Sequence, residues 1–367
     1  MERWIPKYFD ALERETEASG RVDNGESLIH TIYFGGGTPS IVPFEYYQRL
    51  LQKVANEFNL DRNLEITLEA NPGTVQGRDF SGYQQAGINR VSIGVQSFQP
   101  QELKLLGRIH NNEDTYRTME SIRAAGINNI NLDMIYGIPG QAVDGWGKNL
   151  SEALSLTPEH LSLYCLTIEE GTPLADRVAR GEVVALAEDE AAEMFEVAIR
   201  RLKDAGYHHY EISNWAKKVE SGEDYRCQHN LQYWKNEEYY GFGAGAHGYF
   251  HGVRVAKNHS IAGYIQDLGG GSGSKYSKDP IPSLTKLEQM QDEMMLGLRL
   301  LEAGISQNRF REKFGVEMME IFGREIAGLL DHQLIKWVDD NEKVLILTER
   351  GMMLGNQVFM EFVDGDQ

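Results

Sequence analysis

Short β-branched and apolar runs return along this chain at intervals of roughly thirty residues, and helix-length stretches fill the spaces between them. The runs are Leu28–Phe34, Leu64–Leu68, Arg90–Val95, Asn129–Tyr136 and His160–Leu166. Between them lie Pro43–Phe58, Ser81–Gly87, Glu113–Ala125 and Asp144–Leu156, with Gly87 and Gly126 placed where a helix stops and the next strand approaches. A further helix, Glu188–Ala205, leads into His208–Ile212, a sixth strand candidate. The alternation predicts an α/β fold around a parallel sheet, since parallel neighbours need a crossover between them. Six such units fall short of the eight that close a full barrel, so the expectation is a partial (β/α)6 barrel.

After Ser213 the texture changes to an aromatic, Gly-rich, helix-poor region, Tyr225 to Tyr264, followed by the flexible run Gly269-Gly-Gly-Ser-Gly-Ser274. From Ser283 the pattern is helical again, and Leu334–Val338 and Val344–Leu347 flank the acidic turn Asp339–Glu342. Helices followed by a β-hairpin suggest a small, helical, winged-helix-like C-terminal domain. The expected division is a barrel over 1–215, an insert and linker over 216–275, and the C-terminal domain over 276–367. Asp339, Asp340 and Glu342 at the wing tip would repel phosphate, and the formal charge of −19 argues against nucleic acid or an anionic membrane as a general partner. Cys165 and Cys227 are the only cysteines, too few for a disulfide framework. No apolar run is long enough for a transmembrane segment and no secretory signal is present, so the expectation is a soluble cytoplasmic protein.

In β/α barrels the active site is built from the loops after the strand C-termini. Here those loops are Gly35-Gly36-Gly37-Thr38-Pro39, Glu69-Ala-Asn71-Pro72, Gly94-Val-Gln96-Ser97-Phe98, Asp133-Met-Ile-Tyr136-Gly-Ile-Pro139-Gly140 and Tyr164-Cys165-Leu166-Thr167. Any one of them alone reads better as a turn with a helix cap. All of them in succession place carboxylates, an amide and exposed backbone at one rim. That chemistry suits a ligand with an amino-acid head and a ribose, with carbonyls and carboxylates for the ammonium, and Glu69 or Asp133 accepting from hydroxyls. Two other motifs fail on context. Gly243-Ala-Gly245-Ala-His247-Gly248 has dinucleotide-loop spacing but no strand before it and no helix after it, and Gly35-Gly36-Gly37-Thr38 lacks the Lys of a phosphate-binding loop.

Taken together, Tyr33-Phe-Gly-Gly-Gly-Thr-Pro-Ser40, Glu69-Ala-Asn-Pro72, Arg90-Val-Ser-Ile-Gly-Val-Gln-Ser-Phe98 and Asn131-Leu-Asp-Met-Ile-Tyr-Gly-Ile-Pro139 resemble the radical S-adenosylmethionine (SAM) family related to coproporphyrinogen III dehydrogenase. His160-Leu-Ser-Leu-Tyr164, Glu169-Glu-Gly-Thr-Pro-Leu174, Tyr210-Glu-Ile-Ser-Asn214, Cys227-Gln-His-Asn-Leu-Gln-Tyr-Trp234 and Gly243-Ala-Gly-Ala-His-Gly248 resemble its HemW-type haem-chaperone branch. The resemblance implies that Gly36, Gly37, Thr38, Glu69, Gln96, Arg108 and Asp133 surround SAM, with Tyr164 and Cys165 near the same cofactor. Between Leu163 and Leu166, Cys165 also reads as a small buried core residue.

The family holds a 4Fe-4S cluster on a Cys-x-x-x-Cys-x-x-Cys loop, and this chain has no such loop. Two cysteines cannot supply three thiolates. The opening segment Glu2–Leu12 resembles the helix just downstream of that loop, so the expectation is that the loop and the first barrel strand lie upstream, leaving Leu28–Phe34 as a sheet edge.

Two functions compete. A haem chaperone would bind haem and pass it to a respiratory haem protein. His229, His247, His251 and His259 are then candidate ligands, His229 first because it sits in the branch's His-Asn-x-x-Tyr-Trp signature and His247 second. Each of them also reads as a hydrogen-bonded loop residue. A coproporphyrinogen III oxidase would instead use SAM and the cluster to decarboxylate a porphyrinogen, and a bare interaction module would leave the rim unexplained.

Overall fold

The computed structural model describes residues 2–74, 80–218, 222–269, 283–339, 341 and 343–363. Helix α1 (Ile5–Asp23) comes first, then β1 (Leu28–Phe34), α2 (Phe44–Glu57), β2 (Asn59–Ala70), α3 (Ser81–Ala86), β3 (Arg90–Gln96), α4 (Pro100–Leu105), α5 (Asn112–Ala124), β4 (Asn129–Tyr136), α6 (Val143–Ser155) and β5 (His160–Cys165). After β5 follow α7 (Pro173–Ala179), α8 (Glu188–Asp204), β6 (Tyr207–Glu211) and β7 (Asn214–Lys217). The chain divides into two compact units, Thr31–Gln48 with Asn63–Cys227, and Met1–His30 with Arg49–Arg62 and Gln228–Gln367.

The first unit is the α/β partial barrel. Its strands run in the order β1-β2-β3-β4-β5-β7-β6, with β2 to β5 parallel and β1 at one edge. The predicted helices and strands hold to within a few residues, except that β2 begins well before Leu64, at Asn59. Local signals explain the helix ends. Asn111 and Asp114 form a reciprocal capping box at the start of α5, and Gly87 closes α3 at φ 113°, a conformation that costs other residues dearly. The outward face of the sheet is apolar, as burial against helices requires. Trp146 on α6 is fully buried and donates its indole N–H to the Met194 carbonyl on α8 at 2.9 Å.

The sixth strand departs from the reading. It does not lie beside β5, because the four-residue β7 turns back between them, antiparallel to both. The reversal is held by Glu211, whose buried carboxylate accepts from the Ser213 amide at 3.0 Å, and by Trp215, which stacks on His209 at 4.0 Å between ring centres. Burial holds the His209 imidazole down to about 4. A strand this short carries no periodicity of its own.

The second unit continues with α9 (Gln228–Trp234), β8 (His247–Phe250), β9 (Val253–Ala256), α10 (Ile261–Gly269), α11 (Lys286–Gly297), β10 (Ile305–Ser306), α12 (Gln307–Phe314), α13 (Met318–Asp331), β11 (Ile335–Val338) and β12 (Val344–Leu347). The region read as helix-poor thus contains two helices. α9 forms despite an aromatic composition of modest helix propensity because Leu231 is buried and Arg299 lies over the Trp234 ring at 4.3 Å. Farther on, α12, α13 and the three-stranded sheet β10-β12-β11 enclose Phe310, Phe314 and Phe322. The β11–β12 turn places Asp339 at φ 58°, while Asp340, Glu342 and the 270–282 stretch lie outside the described residues.

The glycine motif at 243–248 is tied to α1. The Gly243 amide donates to buried Glu15 at 3.0 Å, and the Ala244 amide donates to the Tyr8 hydroxyl at 3.1 Å. Its backbone donors are committed within the protein, which agrees with a loop rather than a nucleotide cradle. Among the described residues no helix is long and apolar enough to cross a membrane.

Candidate functional site

The inward face of the sheet is polar. Side chains alternate along a strand, so one face collects Glu65, Thr67 and Glu69 from β2, Arg90, Ser92, Gly94 and Gln96 from β3, Asn131 and Asp133 from β4, and His160, Ser162 and Tyr164 from β5. The parallel registers bring them side by side, with Glu69 opposite Ser92, Ser92 opposite Asn131 and Asp133 opposite Ser162. At the C-terminal end of the strands this face opens into a cavity of about 300 Å³, lined by Tyr33, Gly37, Glu69, Asn71, Ser92, Gly94, Gln96, Arg108, Asp133 and Tyr164 among others.

Local geometry aims these groups. Glu69 accepts from the Gly36 amide at 3.0 Å and from the Tyr33 hydroxyl at 2.9 Å, so one carboxylate holds the glycine loop in place. Gly36 and Gly37 have φ of 82° and 68°, and a Cβ on either would meet open space, so it is the left-handed backbone and not crowding that demands glycine. Thr38 accepts from the Asn71 side chain at 3.2 Å. β3 shifts register between Ile93 and Gln96, and Gln96 itself stands at φ 66°, a strained conformation for a side-chain-bearing residue. The bulge turns the Gln96 amide into the cavity. Arg108 arrives from outside the strands: α4 ends, Gly107 turns at φ 68°, and the Arg108 amide bonds to the Leu103 carbonyl at 2.9 Å. Among the described residues it is the one cation lining the cavity.

Asp133 accepts from Ser92 at 2.9 Å and from Asn131 at 2.8 Å. Burial pushes its carboxyl up, Ser92 and Asn131 pull it back, and Glu69 adds to the rise. Burial also raises Tyr33, with Glu69 next, and raises Tyr164, with Asp133 next. The site is therefore electrostatically crowded, as ligand cavities are.

Of the residues named from sequence, Gly37, Glu69, Gln96, Arg108 and Asp133 line the cavity, while Gly36 and Thr38 brace its rim. Cys165 does not line it. Next to Tyr164 on β5 it takes the opposite face, where its thiol stands against Gly137, and it is exposed, which overturns its reading as a buried core residue. Burial of its neighbourhood still pushes the thiol up. Tyr33 and Ser92 were not foreseen. Their strand parity with Gln96 and the Gly36 loop was the available signal.

The cysteines settle what this chain can hold. Cys227 is buried with its thiol 3.7 Å from Glu65 Oε1, and Cys165 is exposed on β5. The two thiols do not share a loop, and a site-differentiated 4Fe-4S cluster needs three. The residues present do not fit such a cluster. Native alkylation with a small maleimide is expected to modify Cys165 alone, slowly at neutral pH because its thiol is shifted up, and Cys227 only after unfolding. Mass spectrometry of the peptides reads this out, and rapid native labelling of Cys227 would contradict its burial.

The four histidines read as candidate haem ligands lie in the second unit. On α9, His229 is half-buried, its Nε2 3.1 Å from the Tyr233 hydroxyl one turn on. His247 opens β8 and is exposed, its ring 6.3 Å from that of His259, while exposed His251 lies 3.6 Å from Glu238. Among the described residues no cluster of three or more His, Cys, Asp or Glu is arranged to hold a metal ion.

Comparison with known proteins bears on the whole chain. Residues 7–150 match the Radical SAM superfamily, and residues 284–354 match the HemN C-terminal domain. A protein of Bacillus subtilis (strain 168) named heme chaperone HemW is 36% identical over 98% of this chain and 92% of its own length. The chain belongs to the HemW family. A Danio rerio relative, the mitochondrial radical S-adenosyl methionine domain-containing protein 1, is 32% identical over 94% of this chain and 75% of its own. Among solved structures, the Escherichia coli coproporphyrinogen III oxidase HemN, a radical SAM enzyme, superimposes with a TM-score of 0.78 over 98% of this chain and 83% of its own, at 19% identity. At that identity the likeness speaks for the shared fold. Membership of the radical SAM superfamily makes SAM the ligand against which the cavity is judged.

Proposed function

We propose that this chain is a haem chaperone that binds SAM in the strand-end cavity and haem on the aromatic region beginning at Gln228. The observation that carries the first half is the donor set at the strand ends. Glu69 and Asp133 can accept from an ammonium or from ribose hydroxyls, Gln96 can both donate and accept, and Arg108 can bind a carboxylate. A zwitterionic amino acid joined to a ribose matches that set. Gly36, Gly37 and Thr38 shape the rim, and Cys165, on the opposite face of β5, takes no part in it. Bound SAM supplies a reactive sulfonium, whose reductive cleavage requires a cluster that these residues do not hold. The protein's own part is to bind, orient and exclude water.

For haem, His229 is the first ligand and His247 the second. An imidazole on α9 beside Tyr233, which itself packs edge-on against Tyr239 at 4.6 Å, offers a ligand for iron and flat surfaces for the macrocycle. Ligation through Nε2 exchanges the Tyr233 hydroxyl for iron. The chain would work in the cytoplasm and deliver to a respiratory haem protein, as a barrel over 1–215, an insert over 216–275 and a helical domain over 276–367. Titration with haem should produce a Soret band that His229→Ala shifts or abolishes. An unchanged spectrum rejects His229 as the ligand, and no band in the unaltered protein rejects haem binding. Turnover of coproporphyrinogen III by the chain would instead favour the oxidase reading.

A further inference from the structure

Beneath the cavity floor lies a hydrogen-bonded chain that crosses the inside of the barrel. The Cys227 amide donates to the Tyr210 hydroxyl at 3.2 Å, Tyr210 is 2.7 Å from His160 Nε2, and His160 Nδ1 is 2.6 Å from Asn131 Oδ1. The Asn131 amide nitrogen then reaches Asp133 Oδ1 at 2.8 Å and Ser92 Oγ at 2.7 Å. His160 is wholly buried, and Asn131 and Tyr210 are nearly so. Both ends of this chain have only one possible role. A backbone N–H can only donate, and an ionised carboxylate can only accept.

The carboxylate end sets the hydrogens along the chain: the Asn131 N–H groups face Asp133 and Ser92, so its Oδ1 faces His160 and can only accept. His160 therefore carries its proton on Nδ1 and donates it to Asn131 Oδ1, which also accepts from Ser162 at 3.1 Å. A neutral His160 that donates from Nδ1 has a bare Nε2, so Tyr210, which also accepts from Cys227, donates to it. Burial together with nearby Arg90 holds His160 well below its usual range, which keeps it in the neutral form this pattern requires. An asparagine amide has two orientations related by a half-turn, and the wrong one would set Oδ1 against the Asp133 carboxylate. Asp133 repels that orientation, and the Nδ1–H of His160, donating to Oδ1, holds the other one in place.

We infer that His160 and Tyr210 are positioning residues for the SAM site, fixing the Asn131 amide so that it holds the Asp133 carboxylate ionised and aimed into the cavity. This rests on the SAM reading for its ligand, though not for its geometry. The charged and titratable groups facing Asp133 are Glu69 from β2, Arg90 from β3, Tyr33 from β1, and Tyr164 and His160 from β5, with Arg108 lining the same cavity from the turn after α4. None of them supplies a hydrogen bond that could stand in for Asn131, so loss of the chain should make Asp133 easier to protonate. SAM affinity would then fall as pH drops through a higher midpoint than in the unaltered protein.

Calorimetric titration of the full chain with SAM across pH 5.5 to 8.5, for the unaltered protein, His160→Phe, His160→Gln, Tyr210→Phe and Asp133→Asn, tests this. His160→Phe should lose about tenfold in affinity or more, roughly what a charge-assisted hydrogen bond carries, with its pH midpoint displaced upward. His160→Gln, which can still donate to Asn131 and accept from Tyr210, should recover much of the loss. His160→Phe added to Asp133→Asn should cost little further. Equal affinity and pH profile in His160→Phe, or full additivity with Asp133→Asn, overturns the inference in favour of a purely structural histidine. Carbon-13 NMR of the Asp133 carboxyl in the ligand-free proteins keeps the question separate from SAM. An upward displacement in His160→Phe supports the inference even if no protein binds SAM, in which case only the ligand reading fails, and an unmoved titration overturns it.

Discussion

Replacing Glu69 by alanine is expected to lower SAM affinity by roughly a hundredfold, the largest effect of any single change at the strand ends. Two bonds converge on this carboxylate, from the Gly36 amide and the Tyr33 hydroxyl, and bonds to charged groups are worth about 1.5–3 kcal/mol each. Losing the carboxylate releases the glycine loop from its place at the rim and removes an acceptor from the cavity, and each 1.4 kcal/mol so lost is about tenfold in affinity. Glu69→Gln keeps the acceptor for Gly36 and should lie between. Calorimetric titration reads both variants. Retention of affinity within about threefold in Glu69→Ala would mean that the cavity is not where SAM binds.

The largest stability effect is expected at the other end of the molecule's polarity, in the buried pair of Glu15 and Lys257. Glu15 on α1 is fully buried, and Lys257 Nζ stands 2.6 Å from its Oε1. Its Oε2 accepts from Gly243 and from the Tyr264 hydroxyl, which burial and Glu15 push well above the usual tyrosine range. This carboxylate thus organises α1, α10 and the glycine loop at once. Lys257→Ala leaves a buried charge without its counter-ion and should cost about 3–5 kcal/mol. Removing both charges, as Lys257→Met with Glu15→Gln, should recover a good part of it, because an uncharged pair has no desolvation to offset. Urea unfolding followed by α1 hydrogen exchange reads the difference. If Lys257→Ala alone moved the midpoint by no more than a surface substitution does, about 0.5 kcal/mol, the pair would not be holding the loop.

Much of the site was legible because barrels concentrate function at strand ends. Glycine, carboxylate and amide residues there stand out against the apolar strands that precede them. Arg108 came from family resemblance and not from pattern, since it follows a helix and is aimed by a turn at Gly107. Ser92, Tyr33 and His160 were hidden inside segments that read as strand interior. A strand buried on both faces usually shows an unbroken apolar run, and here one face of each strand is polar, so the period-2 alternation was the overlooked signal. Cys165 was misplaced for the same reason: its parity, opposite to Tyr164, sends it away from the cavity.

The sequence by itself determined the β/α order, the helix stops at Gly87 and Gly126, the loops of the rim and the shortage of thiolates, because these depend on local periodicity, on backbone conformation and on a count of side chains. Only the tertiary structure decided that β7 slips between β5 and β6, that α9 forms in an aromatic stretch, and that Glu15 reaches the glycine motif at 243–248. It alone decided that Cys227, Tyr210, His160, Asn131 and Asp133 join into one directed chain. Those outcomes depend on which residues, remote in sequence, are pressed together out of water, where a buried donor left without an acceptor is costly.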